Sequence, residues 1–172
     1  MGLLVLVLWA VVACALPDAM PARLAVDRHA PDLFVALAAY LAARGSGLHV
    51  VRWGILLGAL KDCASLDPLG THAFVLGATT LLFARSRDDD DQPAPSAPSI
   101  AISVALATLV ANVLYAVRLL PMHRDAPGAL RLVVDAFPTA LWTALASWPL
   151  LSILTRTGAV DDLLGRRRAR AA

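Results

Sequence analysis

Glutamate is missing from this chain, and lysine occurs once, at Lys61. All 13 acidic residues are therefore aspartate, and arginine supplies the rest of the positive charge. Charge is scarce as a whole, at 16% of residues, where a soluble domain carries about 25%. So little polar surface argues against a soluble fold, which needs more of it to cover its core. Cysteine is equally sparse. Cys14 and Cys63 lie in or beside apolar segments, so neither a disulfide framework nor a cysteine metal site is indicated, and no CxxC or HExxH motif exists. His29, His49, His72 and His123 are scattered and read as interfacial or packing residues rather than ligands. The only basic cluster is Arg166-Arg167-Arg168-Ala169-Arg170, with no other basic or aromatic surface beside it. Nucleic-acid binding is therefore not expected, and the cluster reads as a tail that fixes orientation and touches anionic lipid.

What remains is apolar sequence. Hydrophobic residues make up 59% of the chain and fall into long blocks separated by short polar punctuation. The blocks lack the alternation that membrane strands require. The expected fold class is thus an all-α membrane protein: one polytopic domain over residues 1–172, with about six transmembrane helices. Its expected appendages are a flexible loop over 85–98 and a basic cytoplasmic tail over 156–172.

The first apolar block runs from Gly2 to Leu16. It lacks the preceding Lys or Arg of a signal peptide, and Val11-Val12-Ala13-Cys14 is only a loose lipoprotein box, so a retained helix is expected. Pro31-Asp32 opens a helix over 32–43, with proline suited to the first turn and the acid to the helix dipole. Twelve residues rise only about 18 Å, so this helix is expected to be half-length. Further helices are expected over 47–66, 69–84, 99–120 and 129–155. In the last, Arg131 and Asp135 are four apart and share a face, and Pro138 and Pro149 should kink the helix. The run Asp88 to Asp91 followed by Gln-Pro-Ala-Pro-Ser-Ala-Pro reads as an aqueous linker; consecutive flexible carboxylates lack the geometry of a calcium loop. Six spans put both termini on one side. With that side cytoplasmic, Arg44, Arg85, Arg87, Arg156 and the tail arginines lie inside, a weak positive-inside bias carried mostly by the tail.

The stretch from Gly47 to Gly70 carries the most information. Gly54 and Gly58 form a small-xxx-small pair, which lets another helix approach closely, either for ordinary packing or as a partner face. Lys61 and Asp62 follow near the expected helix end, where ionisable groups at a membrane edge are costly. The turn Asp67-Pro68-Leu69-Gly70 comes next.

Taken in order, Pro31-Asp32-Leu33, Gly54-x-x-x-Gly58-x-x-x-Asp62 and Asp67-Pro68-Leu69-Gly70 resemble the MreD family, the small integral membrane component of the bacterial rod-shape elongation machinery. The resemblance spans roughly residues 31–84; the second half agrees in hydropathy only. Lys61 before Asp62, the Asp88–Asp91 run and the short first helix depart from the family pattern. The resemblance implies a bundle similar to the substrate-binding subunits of vitamin importers, placed in the bacterial cytoplasmic (inner) membrane. It implies no catalytic chemistry and no cofactor. The implied partners are an MreC-like coiled-coil membrane protein, a RodA-type glycosyltransferase with its transpeptidase, and MreB-like filaments indirectly. The implied role is regulation of peptidoglycan synthesis and cell shape. Pro31, Asp32, Gly54, Gly58, Asp62, Asp67, Pro68 and Gly70 are the candidate partner-binding or structural residues, with Asp62 expected to cap or hydrogen-bond a neighbouring helix end.

Two rival functions use other residues. A small-molecule-binding importer subunit would draw on Arg52, Asp62, Asn112 and Asp135, but Trp9, Trp53, Trp142 and Trp148 are too dispersed to cradle a vitamin. An intramembrane enzyme would need Asp62 and Asp135 as an acid dyad, and neither lies in a catalytic motif.

Overall fold

A computed structural model of the protein describes residues 8–9, 11–13, 31–45, 47–65, 67–85, 96–119 and 126–157. The connector over 17–30, residues 86–95 of the expected linker and the tail from 158 onward lie outside them. The described residues are helical, without strands. Leu8, Trp9 and residues 11–13 belong to a first helical segment. Five helices follow: α1 (Leu33–Arg44), α2 (Gly47–Ala64), α3 (Thr71–Arg85), α4 (Ala97–Leu119) and α5 (Ala126–Thr157).

Helix α1 is the centre of the molecule. It is apolar on every face, and every residue from Leu33 to Ala43 is buried. A helix hydrophobic all round must be enclosed, and α2, α3, α4 and α5 all pack against it. The Trp9 indole N–H donates to the Leu33 carbonyl at 3.0 Å, joining the first helical segment to the same core. Enclosure explains how a 12-residue helix is tolerated: the side chains from Leu33 to Ala43 meet protein rather than lipid.

The remaining helices associate as two antiparallel pairs, α2 with α3 and α4 with α5. Two stretches are long and apolar enough to cross a membrane, Pro98–Arg118 in α4 and Ala136–Thr155 in α5. Helices α1 and α3 are apolar but shorter. Helix α2 ends at Ala64, two residues before the expected end and four before Pro68, because the chain turns once Asp62 has engaged the next helix. Pro138 and Pro149 both lie within the continuous helix α5.

Polarity is distributed inside out. Thr71, Thr79, Thr80, Thr108, Thr143 and Ser147 are buried, several of them returning a hydroxyl hydrogen bond to a carbonyl one turn back. Large apolar side chains such as Phe74, Leu82, Ile102, Phe137, Leu141 and Leu145 are exposed instead. A water-soluble protein rarely presents so much contiguous apolar surface. A bundle in lipid does, with small and hydroxyl residues between its helices.

Candidate functional site

The site is built where α1 begins, α2 ends and α3 begins. Asp62 occupies the last turn of α2 and is 3% exposed. An acid there opposes the dipole of its own helix. Its side chain resolves this by serving the next helix: Oδ2 accepts from the Gly70 N–H at 3.0 Å and the Ala73 N–H at 3.1 Å, and Oδ1 from the His72 N–H at 2.8 Å. The carboxylate therefore takes the N–H groups that the start of α3 leaves without helical partners, and meets its positive dipole end. Gly70 makes this possible with φ +87°, a left-handed conformation that a side chain would oppose.

Gly54 and Gly58 hold α2 against α3. A Cβ on Gly58 would run into the backbone of His72 and Ala73. On Gly54 it would meet the Thr80 side chain and come within 2.9 Å of the Leu76 carbonyl. The helix admitted by these glycines is thus α3 of the same chain.

A second acid, Asp32, caps α1. Its Oδ1 accepts from the Val35 N–H at 3.2 Å, and its own N–H donates to the Thr143 hydroxyl of α5 at 2.9 Å. Its Oδ2 is paired with Lys61 of α2. Burial pushes the Asp32 pKa upward, but the Lys61 charge and hydrogen bond, together with the Val35 N–H, outweigh it and hold the carboxyl below its ordinary value. The adjacent residues Lys61 and Asp62 therefore do not pair with each other. Neighbours along a helix point in different directions, and each reaches a different element.

Asp67, in the turn, accepts from the Tyr115 hydroxyl of α4 at 3.0 Å and lies 3.3 Å from Nε2 of His72. The His72 and Tyr115 rings are 5.5 Å apart. Asp32, Lys61, Asp67, His72, Asn112 and Tyr115 together line a polar cleft of about 200 Å³. Acid-to-donor contacts thus tie α1 to α2, the turn to α4, and α2 to α3.

Comparison with known families falls on this geometry. A family model of the rod shape-determining protein MreD matches residues 1–156. The chain belongs to the MreD family. The match reaches well past residues 31–84, into the half of the sequence that resembled the family in hydropathy alone. Neither a curated protein nor a solved structure matches the chain. MreD-family membership makes it a rod shape-determining bacterial membrane protein, from a family of structural proteins that function with other rod-shape proteins.

Of the residues singled out by sequence, Asp32, Gly58, Asp62, Asp67, Pro68 and Gly70 converge on this end of the MreD-family bundle, Pro31 is buried beside them, and Gly54 lies one turn further along α2 against Leu76 and Thr80. Asn112 lines the cleft but gives its amide N–H to the Thr108 carbonyl at 2.8 Å. Arg52 and Arg131 are exposed, and the Asp135 side chain lies outside the described residues, as does its expected pairing with Arg131. Among the described residues no group of His, Cys or Asp is placed to hold a metal. Thr143 and Tyr115 belong to the site without having been singled out for it. They lie 111 and 48 residues from their partners, and no local pattern announces such contacts.

Proposed function

We propose that this chain is a non-enzymatic, multi-pass subunit of the bacterial cell-elongation complex. In this reading it crosses the inner membrane with about six spans, one half-length, and keeps both termini cytoplasmic. It docks an MreC-like coiled-coil protein beside a RodA-type glycosyltransferase and its transpeptidase, with MreB-like filaments as indirect partners, and so regulates peptidoglycan synthesis. Family membership supports the setting. The observation that carries the docking role is the Asp62-locked hairpin: a turn held rigid by a buried carboxylate presents Leu69 outward at 82% exposure. A fixed turn loses little conformational entropy on association, which favours its use as a partner contact. Because α3 already occupies the Gly54–Gly58 face, the partner meets the turn and the outer apolar faces.

The test compares co-purification of the MreC-like partner at matched protein levels. Leu69→Ser, which touches no internal contact, is expected to reduce partner recovery several-fold at unchanged abundance. Asp62→Ala strips three N–H groups, that of His72 buried and the other two partly so, of their acceptor, a cost of about 1–2 kcal/mol. It is expected to lower recovery further and to lower thermal stability as well. Full recovery with both variants would refute docking through this hairpin. The importer-subunit reading has less support: the polar cleft is about 200 Å³ and its groups already engage one another, whereas small-molecule pockets usually offer about 300–1,000 Å³.

A further inference from the structure

The opposite end of α1 carries a different site. Arg44 is the last residue of α1, and its guanidinium lies 5.7 Å from the centre of the Tyr40 ring. Its Nε is buried without a hydrogen-bond partner. No ion pair to Arg44 exists among the described residues. The side chain borders a cavity of about 300 Å³ between α1, α4 and α5. The wall is divided by chemistry. Ser147, Ser152 and Thr155 bring hydroxyl groups, while Ile100, Leu151 and Trp148 form an apolar side. Those hydroxyls already donate to backbone carbonyls of α5, at 3.1, 2.8 and 2.7 Å, so the cation beside Tyr40 is the group left without an anionic counterpart among the described residues.

The height of the cavity matters as much as its lining. Ile100 lies within the first turn of α4, and Thr155 within the last turn of α5. These are the two helices that are long and apolar enough to cross the membrane. A cavity that begins at these ends and runs along α5 as far as Ala144 reaches from headgroup depth toward the acyl chains, past the depth that tryptophan side chains also favour. Trp148 is 46% exposed on the outer surface there. A half-buried guanidinium with no ion-pair partner and a buried, unsatisfied Nε calls for an anion, and its planar fork suits phosphate. An apolar wall opening toward lipid calls for a chain attached to that anion.

We propose that this cavity binds a phosphate-bearing anionic amphiphile, a membrane phospholipid whose phosphate pairs with Arg44 and whose chain lies along Ile100 and Trp148. The site is separate from the Asp62 hairpin and does not depend on the docking role.

The test uses the full chain purified in a neutral detergent and read by native mass spectrometry with added phosphatidylglycerol or phosphatidylcholine. Wild type is expected to retain phosphatidylglycerol about five-fold better than Arg44→Gln does, the effect of one basic contact at a membrane surface. Arg44→Lys is expected to fall between them. Phosphatidylcholine should show a smaller difference. Ala101→Leu, which fills the cavity from α4 without touching Arg44, should reduce retention too and keeps the test open if the Arg44 variants fail to fold. Equal retention of phosphatidylglycerol by wild type, Arg44→Gln and Ala101→Leu would overturn the proposal. So would protection against thermal unfolding by inorganic phosphate alone that matches the lipid, since that would make the ligand a free phosphate.

Discussion

Lys61 shows how one cation can settle the state of a buried acid. Asp32 is only partly exposed, and burial alone would raise its pKa; the Lys61 charge reverses the outcome. The other ionisable groups around the cleft are His72, Asp67 and Tyr115, with Asp62 behind them. Because the folded pKa of Asp32 lies below its unfolded value, its contribution is fully present above the ordinary carboxylate range and is lost as pH falls through the folded value. The wild-type melting temperature should therefore stay flat from about pH 8 to about pH 5 with respect to this group, and drop below about pH 4. Lys61→Met inverts the sign. Asp32 then keeps its burial without its cation, its pKa should move upward, and stability should rise as acid protonates it. The same variant should lose about 1–2 kcal/mol at neutral pH, discounted because the pair is part-exposed. Melting curves of both proteins across this range in one detergent decide it; parallel profiles would show that Lys61 does not control Asp32. The sequence made Asp32 legible as a helix opener and Asp62 as an acid with a purpose. It could not show that Lys61 turns to an acid 29 residues away, because adjacency in a helix carries no information about a third element.

Helix α2 with α3 is the element in which close approach was most readable. Gly-x-x-x-Gly states that something comes near, but not what, and the neighbour is the next helix of the chain. The three glycines packed between the helices of this hairpin, Gly54, Gly58 and Gly77, differ in what a methyl group would strike. At Gly58 it meets backbone that cannot yield without parting the helices. At Gly77 it meets a side chain rather than backbone, Cγ1 of Ile55 at 2.8 Å, in a residue that is 46% exposed. Gly58→Ala should accordingly cost about 1–3 kcal/mol by overpacking. Gly77→Ala should cost less, because the gain in helix propensity, about 1 kcal/mol, partly offsets the χ1 shift that Ile55 must make. Thermal unfolding of the two variants in detergent orders them, and a Gly77→Ala protein less stable than Gly58→Ala would disprove this packing. The half-length of α1 was also legible from its 12 residues. Its complete enclosure was not, since an apolar helix reads alike whether lipid or protein surrounds it.

At the scale of the whole molecule, the direction of the bundle in the membrane joins the two ends described above. In the proposed orientation, for which the weak excess of basic residues argues, the Arg44 end is cytoplasmic and the hairpin end faces outward. Two residues mark these ends cleanly: Leu69, 82% exposed in the turn before α3, and Leu48, 71% exposed at the start of α2. One cysteine at either position, in a background with Cys14 and Cys63 replaced by serine, converts orientation into a labelling result. A membrane-impermeant maleimide added to intact spheroplasts should modify Leu69→Cys within minutes. Leu48→Cys should react only after permeabilisation. The reverse pattern would put the Asp62 hairpin in the cytoplasm, out of reach of an extracytoplasmic coiled coil, and docking through Leu69 would fail even if the family role stood. Lipid retention at Arg44 would survive that reversal, since anionic headgroups can line either leaflet, and the two readings can therefore fail independently.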